Sequence, residues 1–314
     1  MRNKFVTGII CIIILLVVMT PTSAGTSLKH VAIYKPIRNY WGVIIGITDY
    51  KGETNDIPCP NEVIELYKIL LKQKNWNRKN LKLLVNESAT KGNILASLDW
   101  LSDVSGPDDI VIFYFSGHGS ETKDLNGDEK DGMDEAIVAW EGLDGLITDD
   151  ELDRKFDKIK ARGMGLFFDC CLSGGLLGDA IENVHKKTLG MDKGFFNVFH
   201  RAIAFKKEFS NDLAGKNRVI LASSRGLTVG IKNFPPIFTD GVVYAIRADW
   251  KDTVEGVYET VKYTYRVYLL VPILLAFPGF LLKQIQWYLE TGHIATPYPV
   301  IYDNYPGELK FVIR

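Results

Sequence analysis

The chain has 314 residues, and its 37 Lys and Arg are balanced by 38 Asp and Glu. That balance gives no support for nucleic-acid binding through a basic surface, so nucleic acid is set aside as a partner. Hydrophobic residues make up 46% of the chain, which speaks for a packed core and against disorder.

Residues 1–24 stand apart. "MRNK" is basic, "FVTGIICIIILLVVM" is apolar, and "TPTSAG" offers small residues before a cut after Ala24. This is the layout of a secretory signal. The other reading is an uncleaved membrane anchor, although the run is short of the roughly 20 residues a span needs. Either way the rest of the chain is expected to be exported, extracellular or held on the outer face of a membrane. Removing the leader removes Cys11 and leaves Cys59, Cys170 and Cys171, too few for a disulfide framework. Residues 25–38 read as a linker and 39–314 as one domain.

"WGVIIGITDY" (41–50) predicts a buried strand. "PNEVIELYKILLKQ" (60–73) has apolar residues at helical spacing and a proline at its start. "LKLLVN" (81–86) predicts a second strand, and "TKGNILASLDWLSD" (90–103) a helix with Thr90 as N-cap. "DIVIFYFSGHG" (109–119) predicts a strand ending in glycines, and "EAIVAW" (135–140) a shorter one. "TDDELDRKFDKIK" (148–160) opens with the acids a helix N-terminus favours. "GMGLFFDCC" (163–171) and "NRVILASS" (217–224) are two more buried strands. The alternation predicts an α/β fold: a mostly parallel sheet with helices on both faces.

Three stretches break the pattern. Residues 176–215 are long and lysine-rich and read as an exposed linker with a helical piece. "VYLLVPILLAFPGFLL" (267–282) is apolar all round but short for a span and interrupted by Pro272 and Pro278. It is expected to form an inserted hairpin or short helix pair at a membrane interface or an oligomer contact. Residues 291–309 read as a turn-rich closing loop.

In such sheets, functional residues gather where strands end. Two strand ends carry chemistry: "SGHG" and "DCCLSGG". Adjacent cysteines do not suit a disulfide, and the pair alone is a poor zinc site. A reactive thiol needs a base, and of five histidines only His118 sits at a strand end between glycines. Cys170 and Cys171 alternate in facing. Cys171 lies nearer the glycines and the expected helix start, where N–H groups lower a thiol pKa.

"YFSGHGS", "DGMDEAIVAWEG", "ITDDEL" and "FFDCCLSGG" together resemble the caspase-like superfamily, in particular the metacaspases and their prokaryotic relatives. His118 precedes Cys171 by roughly 50 residues, the separation of the caspase pair. The resemblance covers about residues 39–260 and implies a three-layer caspase-like domain. It implies a cysteine endopeptidase that cuts protein or peptide substrates after Arg or Lys. Cys171 is then the nucleophile and His118 the partner base, with the N–H groups of Gly119 and Cys171 holding the oxyanion. Asp169, Ser116 and Glu62 match the family's basic-specificity pocket. Glu62 replaces the usual Asp, and Leu172 stands where the family usually has His.

"DLNGDEKDGMDE" (124–135) is dense in oxygen donors: Asp124, Asn126, Asp128, Glu129, Asp131, Asp134 and Glu135. Its spacing lacks the terminal Glu of an EF-hand, and a solvated acidic loop is the other reading. The resemblance implies calcium as an activating ion at Asp149 and Asp150, with Asp179 a further candidate. N-capping is the competing role for Asp149. A basic-specific peptidase also implies self-cleavage in the 176–215 stretch, after Lys186, Lys187 or Lys193. The rival functions are a non-catalytic, calcium-stabilised, membrane-associated binding module with the same fold, and a cysteine hydrolase of other specificity.

Overall fold

The computed structural model describes residues 36–52, 61–129, 132–172, 205–223, 237–248, 251–265 and 299–313, and for Cys171 and Leu172 the backbone alone. Among these, eight strands form one mixed sheet. They are β1 (Tyr40–Gly46), β2 (Leu81–Val85), β3 (Ile110–Lys123), β4 (Met133–Val138), β5 (Leu146–Thr148), β6 (Gly163–Leu172), β7 (Arg218–Ser223) and β8 (Val300–Asp303). The order is β2-β1-β3-β6-β7-β8, and β4 and β5 extend it from the far end of β3. The first five strands in that order run parallel, while β8 closes the edge antiparallel to β7. The helices are α1 (Asn61–Leu70), α2 (Lys91–Val104), α3 (Asp149–Phe156), α4 (residues 205–212), α5 (Ile237–Arg247) and α6 (Val254–Tyr265).

Period-two alternation divides the strand side chains between two cores. Ile110, Ile112 and Tyr114 pack with α1, α5 and α6 on one face. Val111, Phe113 and Phe115 pack with α2, α3 and α4 on the other. Each fully buried side chain of this size contributes about 1.5–3 kcal/mol, so the two cores hold the sheet edge rigid around the site. Thr90 caps α2 as expected, its side chain accepting from Asn93 N. Arg218 is 1% exposed at the start of β7. It donates to Asp153 (2.5 Å), Asp157 (2.6 Å) and the Leu213 carbonyl (2.7 Å), so its buried charge is matched.

Four expectations are corrected. β3 does not end at the glycines; it runs on to Lys123 because β4 pairs with the extension, Gly119 opposite Ile137. The reading of 176–215 as an exposed linker fails for its last part, where Phe205, Phe209 and Leu213 are buried against the sheet. The closing loop supplies β8, and Leu309, Phe311 and Val312 beyond it are core. Thr148 caps α3 by accepting from Glu151 N, so capping is not the role of Asp149. Residues 1–35, the rest of the 176–215 stretch with Lys186, Lys187 and Lys193, and the apolar run 267–282 lie outside the described residues. Among the described residues no helix is long and apolar enough to cross a membrane.

Candidate active site

β3 and β6 lie side by side in parallel, and their register brings the two sequence signals to one point. His118 is the Cα partner of Cys171, Ser116 of Asp169, and Gly119 of Leu172. The parallel register acts twice: the same slip that would separate His118 from Cys171 would also separate Ser116 from Asp169.

His118 is held from the β1 side. Its backbone N–H donates to the Tyr50 hydroxyl at 2.6 Å, and the two rings lie 4.8 Å apart at 30°. Gly117 makes the approach possible, because a Cβ there would meet the hydroxyl at 2.7 Å. The loop carrying Tyr50 is itself pinned. Asn86 Oδ1 accepts from Thr48 N (3.0 Å) and Asp49 N (3.3 Å), and Lys51 N donates to the Trp140 carbonyl (3.0 Å). Asn86 reaches that loop from a left-handed conformation, φ 48°.

Asp169 is 1% exposed. Tyr114 donates to Thr239 Oγ1 at 2.7 Å, and Thr239 donates on to Asp169 Oδ2 at 2.7 Å. On the other side Asp169 is the Cα partner of Ser223, whose hydroxyl bonds that of Tyr265. Ser116 is buried as well. Glu62 lies in the first turn of α1. The next residue, Val63, packs onto Gly46, which is the Cα partner of Ser116. The start of α1 thus overlies the strand ends that carry Ser116 and Asp169. Glu62 Oε2 is buried with no hydrogen-bond partner among the described residues. Cys170, by contrast, is buried in the opposite core with Phe168.

The acids beyond His118 fall into two groups. In the outer one, Asp124, Asp128 and Asp134 bring carboxylate oxygens within 4.8 Å of one another. Asp124 accepts from the backbone N–H of Asn126, Gly127 and Glu129, and those bonds, Gly127's first, hold its carboxyl below its ordinary range. Asn126 Nδ2 donates to Asp128 and to Asp150. In the inner group, Glu129, Glu135, Asp149 and Asp212 offer four carboxylates within 4.8 Å. Burial first, and the neighbouring acids second, push Glu135 up to about 9 and Asp149 up to about 8. Asp212 rises to about 6, by burial first and the charge of Glu208 second. The neighbours Asp149 and Asp150 are therefore split: Asp149 belongs to the inner group, while Asp150 accepts from Asn126 and Arg154. Asp131 and Asp179 lie outside the described residues.

Sequence reasoning missed Tyr50, Thr239 and Asp212. Tyr50 follows a strand end and had that signal; Thr239 and Asp212 sit on helices with no local mark.

The register of one parallel strand pair thus sets a histidine beside a cysteine. Residues 42–179 match the family described as "Metacaspase, peptidase C14 domain". The chain is 29% identical over 187 residues to metacaspase-1 of Schizosaccharomyces pombe, covering 55% of this chain and 43% of that protein. It is 36% identical over 145 residues to metacaspase-1B of Neurospora crassa, covering 43% of this chain and 34% of the other. The chain thus spans less than half the length of these curated relatives. A solved structure of pro-sf-caspase-1 is similar with a TM-score of 0.48 and 10% identity, over 88% of this chain and 92% of that one.

Proposed function

We propose that this protein is a cysteine endopeptidase that cleaves after Arg or Lys, using Cys171 and His118. The observation that carries the reading is the β3–β6 register, which sets His118 opposite Cys171 and the Ser116–Asp169 pair two residues behind them. The Cys171 thiolate attacks the scissile carbonyl carbon and forms the tetrahedral adduct, whose oxyanion the N–H groups of Gly119 and Cys171 receive. His118 gives its proton to the leaving amine, and a thioester remains. Water then loses a proton to His118 and attacks the thioester, and Cys171 departs as thiolate. Tyr50 keeps the imidazole over this point. A substrate cation is matched by Asp169 and Glu62, both short of full solvation, while a carboxylate in their place would be repelled.

Calcium modulation belongs to the same reading. The chemistry of the donor set fits a hard cation: carboxylates and one amide, without sulfur or nitrogen ligands. Asp149 and Asp150, with the acids of 124–135, would hold it, and its charge would relieve the repulsion among them.

The test is a thiol-reactive peptidyl probe ending in Arg, applied to the full chain with and without calcium. Labelling of the parent, lost in Cys171→Ala and absent with an Asp-ending probe, is the expected result. A folded parent that takes no probe would favour the non-catalytic binding module. Equal labelling by the Asp-ending probe would leave a hydrolase of other specificity.

A further inference from the structure

We propose that a cavity at the end of the sheet remote from Cys171 is a binding site for a compact polyanion of the polyphosphate or phosphate-ester class. The cavity has a volume of about 540 Å³ and lies where β6 and β7 begin, with Met164 and Arg218 both in its wall. His118 and Cys171 stand toward the other end of the same parallel strands. At about 3.3 Å per residue, Met164 and Cys171 are roughly 23 Å apart along β6.

The lining carries Lys160, Arg162, Lys216 and Arg218 against one acid, Asp157. The four cations are not equivalent. Arg218 is engaged in the fold, buried and donating to Asp153 and Asp157. Gly215 leaves room for it, because a Cβ there would lie 2.5 Å from the guanidinium carbon. Asn217 then takes a left-handed conformation, φ 62°, and its carbonyl accepts from Met164 N at 2.9 Å. The turn is thereby pinned to β6, with Lys216 exposed on the rim and Arg218 turned in. Lys160 and Lys216 are exposed and make no ion pair among the described residues. Arg162 meets Asp108 at 3.6 Å, longer than a hydrogen bond, and its side chain is 12% exposed. Two ammonium groups and a guanidinium thus face one cavity whose only acid is already paired with Arg218.

That excess of positive charge selects the ligand. The volume exceeds what a single inorganic anion fills and falls in the range of small-molecule sites. Phe156, Ile159 and Met164 in the wall are almost wholly covered by the protein itself, so they leave little surface for an apolar ligand. Arginine offers a planar fork and lysine a movable point charge, and both suit phosphate oxygens. Two or three linked phosphate groups satisfy charge and volume together.

The experiment uses the full chain carrying Cys171→Ala in calcium-free buffer, because tripolyphosphate chelates calcium. Sodium tripolyphosphate is titrated by calorimetry, and Tm is followed with and without it. The parent is expected to bind, to gain in Tm, and to bind less tightly as salt rises. Lys160→Gln/Lys216→Gln is expected to weaken binding at least about tenfold. Lys72→Gln/Lys79→Gln makes the same change of charge at two other exposed lysines and is expected to bind as the parent does. All four side chains are exposed, so the unliganded Tm should hold in both variants. If the two double variants weaken binding equally, net charge alone is responsible and the site is wrong. If the parent does not bind, or Lys160→Gln/Lys216→Gln binds as the parent does, the proposal fails. If hexaglutamate binds and tripolyphosphate does not, the cavity takes acidic peptide and the phosphate assignment fails. None of these outcomes bears on the peptidase reading, which the thiol-reactive probe decides.

Discussion

Replacing Gly117 by Ala isolates the contact between Tyr50 and His118. The added Cβ would lie 2.7 Å from the Tyr50 hydroxyl and 2.9 Å from Phe115 Cζ. Non-bonded heavy atoms need roughly 3.5 Å, so the hydroxyl must retreat by the better part of an ångström. The bond it accepts from His118 N is 2.6 Å long, and that retreat takes it to the limit of hydrogen bonding. The expected cost is about 1–3 kcal/mol for the crowding and about 1 kcal/mol for the lost bond. Tyr50→Phe loses the bond but not the packing, for about 1–2 kcal/mol. Because Phe has no hydroxyl to clash with, the double variant Tyr50→Phe/Gly117→Ala should be better than the sum of the singles by about 1 kcal/mol. The assay is a double-mutant cycle in Tm and in kcat/KM on an Arg-ending fluorogenic peptide. Both singles should lower kcat more than they raise KM, since the imidazole is displaced while the specificity pocket is untouched. Strict additivity, or a Gly117→Ala protein with parental Tm and kcat, would refute the claim that this hydroxyl positions His118.

Cys171→Ala should abolish peptidase activity, whereas Cys170→Ala, a change in the opposite core, should cost roughly 1 kcal/mol of stability and leave turnover measurable. Thr239→Val removes the hydroxyl between Tyr114 and Asp169; KM for Arg- and Lys-ending substrates should rise several-fold with little change in kcat, and an unchanged KM would argue that Asp169 is set by other groups. Asp169→Ala should abolish turnover of basic substrates without creating turnover of Asp-ending ones, a pattern read directly by comparing the two peptides. Lys206 is buried, and desolvation lowers its pKa from 10.5 to about 7. Between those values the unfolded chain keeps a proton that the folded chain loses, so the lysine destabilises most below pH 7 and least above pH 10. Lys206→Met should therefore gain on the order of 4 kcal/mol at pH 6, shrinking as pH rises; a gain independent of pH would rule out the buried charge as its source.

The spans of β1, β2, β6 and β7 and of α1, α2 and α3 are legible in the sequence to within a few residues, because periodicity and capping are local. Thr90 and its capping bond to Asn93 are such a case. The parallel α/β class follows from the same alternation, and "SGHG" and "DCC" mark their own chemistry. Local pattern could not tell that β3 continues to Lys123, since that extension exists through its pairing with β4. Nor could it tell that residues 205–213 are core, since Phe205 and Phe209 are explained by the sheet face they cover. The acids of 124–135 and the pair Asp149–Asp150 are two separate candidates along the chain, yet Asp149 joins Glu129 and Glu135 while Asp150 meets Asn126. Asp212 and Thr239 carry no mark of their own, and each meets an acid more than 60 positions away only in the folded chain. Composition and period decide which elements form; which side chains share a few ångströms is decided by register and helix docking, and these are properties of the assembled sheet.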